Sequence, residues 1–168
     1  MDDLISCLPA TEGVVDLQPL FFSLTLDTTT SLLLVKSVYS LRADQSGDTE
    51  NKIFAESFNI AQEGLAKRFR IAPWHALYNP PEFRRACANV HRFVENYIRE
   101  RELAQKERNF ADISAEFIDQ VASESASMKD LRDQLLNVLL AGRDTTACCL
   151  SWSLYDSPYK QTDTFEMF

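Results

Sequence analysis

Apolar residues recur at steps of three and four along four stretches of the chain, the spacing that one buried face of an α-helix produces. The pattern predicts helices over residues 16–38, 53–69, 82–108 and 128–153. Pro19 falls where a first helical turn tolerates proline, whereas the threonines at 28–30 lower helix propensity and allow a break. Gly64 weakens the second helix by about 1 kcal/mol relative to alanine. No alternating run bounded by hairpin turns stands out, so the sequence predicts an all-α fold.

Three segments between these helices have a different character. Residues 42–51 are polar, contain a glycine and predict a surface loop. Residues 72–81 contain three prolines and two aromatic residues, Trp74 and Tyr78, which predicts an ordered, packed connection. Residues 114–127 form a short polar stretch that leads into the last helix.

The helix predicted over residues 82–108 is the most clearly amphipathic, with an apolar stripe opposite side chains of both charge signs. A coiled-coil seam is the alternative interpretation. Regular heptads run out before three or four repeats, however, and this favours an ordinary amphipathic helix.

The 168 residues, 45% hydrophobic and 25% charged, indicate one ordinary globular domain. A formal net charge of -8 opposes nonspecific binding to nucleic acid and to anionic membrane surfaces. No apolar run is long enough to span a bilayer, and the acidic start does not resemble a signal peptide. We therefore expect no nucleic-acid partner, no membrane segment in this chain and an intracellular location.

The chain has four cysteines, Cys7, Cys87, Cys148 and Cys149. They follow no recognisable metal or disulfide spacing, which favours a reducing compartment. Cys148 and Cys149 lie in an apolar helical pattern and are predicted to be small buried hydrophobic residues. His75 and His91 have no suitably spaced third ligand, so the sequence predicts no metal site for them.

A polar cluster interrupts the last predicted helix, where residues 141–146 read Ala-Gly-Arg-Asp-Thr-Thr between apolar neighbours. Burying a carboxylate and two hydroxyls on an apolar helix is costly unless they form hydrogen bonds. A single threonine can bond to the carbonyl one turn back and is usually structural, but a whole cluster favours a function. An acid beside a hydroxyl supplies the groups that proton transfer needs.

This cluster resembles the oxygen-activation motif of cytochrome P-450 monooxygenases, a small residue, glycine, any residue, Asp or Glu, threonine, then Thr or Ser. In that family the glycine lets the central helix open beside the haem, and the acid and alcohol help deliver protons during oxygen activation. The resemblance implies that Ala141 and Gly142 line the oxygen groove beside the haem. It also implies that Asp144 and Thr145 form the proton-relay pair, with Thr146 as a weaker supporting member.

The rest of the chain resembles the fungal alkane- and fatty-acid-hydroxylating branch of this family, at the following segments: 15–18, 21–27, 58–61, 68–78 and 131–137. The resemblance covers residues 14–153 and implies a partial domain built from the family's central helices. It implies haem as the cofactor, a small apolar substrate, a reductase partner and, for the intact parent, the endoplasmic reticulum membrane. The phenylalanines of the first two helices either line an apolar pocket or form simple core: Phe21, Phe22, Phe54 and Phe58.

The resemblance fails at the haem ligand. The family holds haem through one cysteine in the segment Phe-x-x-Gly-x-Arg-x-Cys-x-Gly, and none of the four cysteines has glycine two residues later. Glu82 and Arg85 fit the family's Glu-x-x-Arg letters but precede the central helix, so we interpret them as an ordinary exposed pair. Residues 154–168, with Pro158, predict an aberrant or unstructured tail.

We therefore expect an incomplete set of central helices, without the haem-cysteine loop, the amino-terminal sheet or the membrane anchor. Such a chain is expected to be a truncated piece that is inactive as a monooxygenase. The alternative hypothesis is a non-catalytic helical interaction module that docks on a partner through the helix over 82–108. In that case the cluster at 142–146 is incidental.

Overall fold

The computed structural model describes residues 2–8, 15–34, 36–42, 49–105 and 113–156. These residues form six α-helices and two short 3-10 turns, Ser40–Arg42 and His75–Leu77, without a β-strand among them. The helices are α1 (Asp2–Ser6), α2 (Gln18–Leu34), α3 (Thr49–Arg70), α4 (Pro81–Gln105), α5 (Ile113–Glu124) and α6 (Met128–Tyr155). The all-α prediction is confirmed.

Helix α2 runs through its threonines without the break that their propensity allowed. Each hydroxyl donates to the carbonyl one turn back, which satisfies it inside the helix. The bonds are Thr25 to Phe21 at 2.8 Å, Thr28 to Leu24 at 2.8 Å, Thr29 to Thr25 at 2.6 Å and Thr30 to Leu26 at 2.8 Å. The helix therefore tolerates these β-branched residues as one continuous element.

Helix α5 occupies most of the polar stretch at 114–127, for which no helix was predicted. Of its described side chains, Ile118 is buried and Val121 packs at the edge of the cluster. Apolar residues do recur here at four-residue steps from Ile113 to Val121, but the serines and acids among them made the segment read as a polar connection. Ser127 then begins α6 as its N-cap, and its hydroxyl accepts a hydrogen bond from the Asp130 N–H at 3.2 Å.

The connection between α3 and α4 is only partly packed. Trp74 and Leu77 are 69% and 79% exposed, so the predicted burial of the connection is wrong at Trp74. Tyr78 is half-buried against Phe83, with ring centroids 6.3 Å apart. The Tyr78 carbonyl also accepts a hydrogen bond from Arg68 at 3.1 Å, so this end of the connection is held to α3.

The core lies between two packed helix pairs, α2 against α6 and α3 against α4, with α4 also touching α6. Phe54 of α3 stacks on Phe93 of α4 at 4.2 Å between centroids, near the centre of the cluster. The apolar stripe of α4 is buried within this core and includes Phe83, Val90, Phe93, Val94 and Ile98. Among the side chains that the structure describes, α4 therefore keeps no such stripe for a partner, which counts against the interaction-module hypothesis. Glu82 and Arg85 are exposed, as expected.

Several sequence predictions fall partly on residues that the structure does not describe. These include residues 43–48 of the surface loop, 106–108 at the end of the long helix and 157–168 of the tail. Helix α6 itself continues through Tyr155, with Asp156 as its C-cap. The domain boundaries at 14, 153 and 154 stay predictions.

Gly64 has a packing role that its low helix propensity does not reveal. It is buried in α3 opposite the Phe83 ring of α4, and a Cβ at this position would lie 2.0 Å from Phe83 Cδ2. The Phe83 side chain is itself buried and also lies under Arg68, whose guanidinium is 5.0 Å from the ring centroid. The glycine therefore lets α3 and α4 approach closely.

We expect Gly64→Ala to lower the free energy of unfolding by about 1–3 kcal/mol, because the crowding of Phe83 exceeds the gain in helix propensity. Chemical denaturation of the chain measures this. In a Phe83→Ala background the ring atoms that crowd this Cβ are absent, so the same change at Gly64 should be neutral or stabilising. A single Gly64→Ala variant more stable than the wild type would contradict the packing role.

Candidate active site on helix α6

Helix α6 presents two faces of different chemistry. Its buried face carries one residue per turn: Leu131, Leu135, Leu139, Arg143 and Ala147. The opposite face is exposed and includes Val138, Ala141, Thr145, Cys148, Cys149 and Trp152. The predicted burial of Cys148 and Cys149 is therefore wrong, because both lie on the side of α6 that no described helix covers.

The predicted relay pair lies on one turn of α6, but its two members have different partners. Thr145 is exposed and donates to the Ala141 carbonyl at 2.6 Å. The Asp144 carboxylate accepts from Gln62 Nε2 at 2.7 Å and from Arg143 Nη1 at 3.3 Å. In the described contacts Asp144 and Thr145 therefore do not share a hydrogen bond.

Arg143 is the buried polar member of the cluster, which sequence reasoning missed. It is 5% exposed, and its guanidinium donates through short hydrogen bonds to Asn59 Oδ1 and Gln62 Oε1 of α3. Its Nε donates to the Phe22 carbonyl at 3.4 Å. Burial lowers the pKa of Arg143 and Asp144 opposes this, but a guanidinium pKa starts so high that the group stays charged.

Aromatic rings enclose this guanidinium, which lies 4.9 Å from the Phe22 centroid and 5.3 Å from the Phe58 centroid. Such contacts suit arginine, whose flat cation stacks on aromatic faces. The signal in the sequence was the four-residue step from Leu139 to Arg143, which puts the arginine on the buried stripe. Of the phenylalanines considered for a pocket, Phe54 and Phe58 belong to the core cluster, while Phe22 is half-buried.

The other motif residues divide between the two faces. Ala141 and Thr146 are exposed, whereas Gly142 is half-buried beside α2. A Cβ at Gly142 would lie 3.2 Å from Thr29 Cγ2, so the glycine allows a close approach of α2 and α6. Helix α6 stays α-helical through this position, without a local opening.

A groove of about 370 Å³ lies between α3, α4 and α6. Its lining residues are Phe58, Ala61, Gln62, Leu65, Cys87, Val90, His91, Asp133, Leu136, Asn137 and Leu140. Gln62 connects the two features, since it lines this groove and also binds Asp144. The groove therefore adjoins the candidate acid.

The groove carries little charge. Burial raises the pKa of the Cys87 thiol, so it stays protonated at neutral pH. Burial also lowers the pKa of His91, and the nearby Arg132 lowers it further against the opposing Asp133 and Glu95, so the imidazole is neutral. Among the described lining residues Asp133 alone is charged, and Arg132 binds it at 2.6 Å.

Within the described residues, no group of three or more His, Cys, Asp or Glu side chains is placed to hold a metal ion. Likewise, no described helix combines the length and apolarity that crossing a membrane requires.

Comparison with known proteins identifies the family of the chain. The family model described as Cytochrome P450 matches residues 2–157, and the chain belongs to this family. Haem is the cofactor of the family. The central-helix interpretation of the all-α fold is thereby confirmed.

Three relatives that match the chain come from fungi. A "Cytochrome P450" of Arthroderma benhamiae is 42% identical over 158 residues, which cover 92% of this chain and 31% of that protein. "Cytochrome P450 52A1" of Candida tropicalis is 38% identical over 155 residues, covering 84% of this chain and 27% of that protein. "Cytochrome P450 52A13" of Debaryomyces hansenii is 38% identical over 154 residues, covering 84% and 29%. The chain thus spans under a third of each relative's length, and no solved structure matches it.

Proposed function

We propose that this chain supplies the oxygen-activation helix and one wall of the substrate site of a haem-thiolate monooxygenase that hydroxylates an apolar molecule. The observation that carries the proposal is the position of Asp144, held by Gln62 and Arg143 at the edge of a largely apolar groove. An acid in such a place can move a proton next to a bound apolar substrate.

The exposed face of α6 suits a flat, largely apolar prosthetic group such as haem. From Val138 to Tyr155 the half-exposed Asp144 is the only described charged side chain outside the buried stripe, and Ala141 and Thr145 are small enough to let such a group approach the backbone. Ala141, Gly142 and Thr146 would lie on the side of α6 that contacts the haem. Bound through a cysteine thiolate, haem supplies the cleavage of dioxygen.

Asp144 and Thr145 would move protons along this face. The Asp144 side chain is 43% exposed, so it can exchange protons with solvent, and the Thr145 hydroxyl lies on the adjacent exposed surface. Because the two side chains bind different partners, the proposed proton path between them runs through a bridging water molecule, which is common in polar sites.

The groove favours an apolar substrate. Its walls are largely apolar, and its ionisable Cys87 and His91 are held neutral by burial. An alkane or a fatty acid fits this chemistry and agrees with the branch that the sequence resembles. A reductase partner and an endoplasmic reticulum location of the intact parent are part of the same proposal and rest on that resemblance.

The haem ligand itself is proposed to lie outside these residues. We expect that titrating the 168-residue chain with haem and CO produces no thiolate-type Soret band, because none of its cysteines has the family's surrounding segment. Absorption spectroscopy of the reduced, CO-treated sample measures this. A thiolate-type band from the chain alone would contradict the proposal.

The complementary experiment uses a hybrid enzyme, in which residues 14–153 of this chain replace the aligned segment of the Arthroderma benhamiae relative. We expect it to give the thiolate-type band and to hydroxylate a medium-length alkane or fatty acid. Haem incorporation shows that the hybrid enzyme has folded. A hybrid enzyme that incorporates haem but forms product only from polar compounds would overturn the proposed substrate class.

A further inference from the structure

Gln62 of α3 connects the two charged residues of the α6 motif. Its amide oxygen accepts from Arg143 Nη1, and its amide nitrogen donates to Asp144 Oδ2 at 2.7 Å. An amide offers an acceptor at one end and donors at the other, so this single side chain satisfies a cation and an anion together. Neither a carboxylate nor an amine at this position could do both.

The Asp144 carboxylate is thereby held at both oxygens. Arg143 binds Oδ1 from the same helix and Gln62 binds Oδ2 from α3. The Asp144 side chain is 43% exposed, so solvent borders the carboxylate, and the described hydrogen bonds to it come from these two side chains.

Of these two bonds, the one from Gln62 is the shorter, at 2.7 Å against 3.3 Å. Gln62 also lines the groove, so it lies between the groove and Asp144. Asn59, three residues earlier on α3, accepts from Arg143 Nη2 and makes no described contact with Asp144. Asn59 is therefore a matched control for Gln62, because both amides accept from Arg143 but only Gln62 also donates to Asp144.

We infer that Gln62 is a positioning residue for Asp144, which sets from α3 the direction in which the carboxylate faces at the edge of the groove. The inference rests on the proposed function, in which Asp144 transfers protons. The contact between Gln62 and Asp144 can be tested without that function.

The contact is tested by NMR on the 168-residue chain, through solvent exchange of the Gln62 side-chain NH₂ protons. A hydrogen bond to a carboxylate slows this exchange, so Asp144→Ala should accelerate it by about tenfold or more. Thr145→Ala, on the same turn of α6, should leave it unchanged. Equal exchange in wild type and Asp144→Ala would overturn the inference whatever the activity of the enzyme.

The positioning role is tested in the hybrid enzyme with two matched variants. Gln62→Glu and Asn59→Asp both place a carboxylate beside Arg143, but only Gln62→Glu removes the donor to Asp144 and puts negative charge against it. Misplacing a reacting group commonly costs rate, so we expect Gln62→Glu to lower kcat by about tenfold to a hundredfold with little change in KM. It should also raise the solvent deuterium isotope effect, whereas Asn59→Asp should leave both near wild type.

The outcomes separate the two proposals. If both matched variants lose kcat equally, or if Gln62→Glu keeps it, Gln62 has no positioning role. If instead Asp144→Asn keeps full turnover while the Gln62 amide is still protected, the contact exists but the proposed function fails. Should Gln62→Glu not incorporate haem, Gln62→Met replaces it, since methionine keeps the length of the side chain but has neither the amide oxygen nor the amide nitrogen.

Discussion

Asp144→Asn in the hybrid enzyme is expected to lower kcat for hydroxylation by about a hundredfold, the scale on which a positioned acid or base contributes. Asparagine keeps the size of the side chain and can still accept from Gln62, but its amide cannot act as an acid or a base near neutral pH. The fold should therefore persist while proton transfer fails. Product formation and O₂ consumption under saturating substrate measure the effect.

The control for this variant is Asp130→Asn, which changes another acid of α6 in the exposed first turn, far along the helix from the motif. It should leave kcat near the wild-type value. Both variants should give the same CO-bound spectrum as the parent, which excludes loss of haem as the cause. An Asp144→Asn variant with wild-type turnover would remove Asp144 from the mechanism and favour an incidental cluster.

Arg143→Met is expected to have the largest effect on stability. It leaves the partly buried acceptors on Asn59, Gln62 and Phe22 without their donor and removes the packing of the buried guanidinium, which we expect to cost about 3 kcal/mol. For a chain of this size the loss corresponds to a fall in Tm of roughly 6–12 °C. Calorimetry or thermal denaturation of the 168-residue chain measures it.

Two further variants show whether the geometry or the charge matters. Arg143→Lys keeps the charge but loses the planar fork that reaches several acceptors, so it should be destabilised by about half as much. Arg99→Met changes an exposed arginine of α4 and should alter stability by no more than about 0.5 kcal/mol. Full stability of Arg143→Met would show that hydrophobic packing can replace this buried cluster, as it does for some buried ion pairs.

The two predictions assign different tasks to neighbouring residues. Arg143 lies on the buried stripe and binds α3 and the α2 backbone, so its loss should act mainly on the fold. Asp144 lies at the edge of the groove and is half-exposed, so its loss should act mainly on turnover. Gln62 touches both and is where the two effects should be coupled.

The positions of four main helices followed from the sequence because helical hydrogen bonds are local and a buried face repeats every three to four residues. The same reasoning missed α5, because the four-residue steps from Ile113 to Val121 lie among serines and acids that made the segment read as a polar connection. It also misjudged Trp74, because an aromatic residue in a proline-rich segment carries no sign of whether a neighbouring helix will cover it.

For the candidate site, the sequence identified the cluster at 141–146 but not the surroundings of its members. It treated Asp144 and both threonines as groups buried on an apolar helix, whereas Thr145 and Thr146 are exposed and Arg143 is the buried polar residue. Periodicity alone puts Arg143 on the stripe of Leu135 and Leu139. Burying a cation at that position is costly, and the hydrogen-bond acceptors on α3 and α2 offset this cost.

The sequence by itself therefore determined the all-helical fold, the family resemblance and the motif that indicates proton transfer, because each depends on residues close together in the chain. The tertiary structure decided which face of α6 is covered, that the buried Arg143 finds acceptors on α2 and α3, and that Gln62 binds Asp144. That last contact joins residues 82 positions apart. The physical reason is that the burial and hydrogen bonding of a side chain depend on neighbouring helices, whose packing no local pattern specifies.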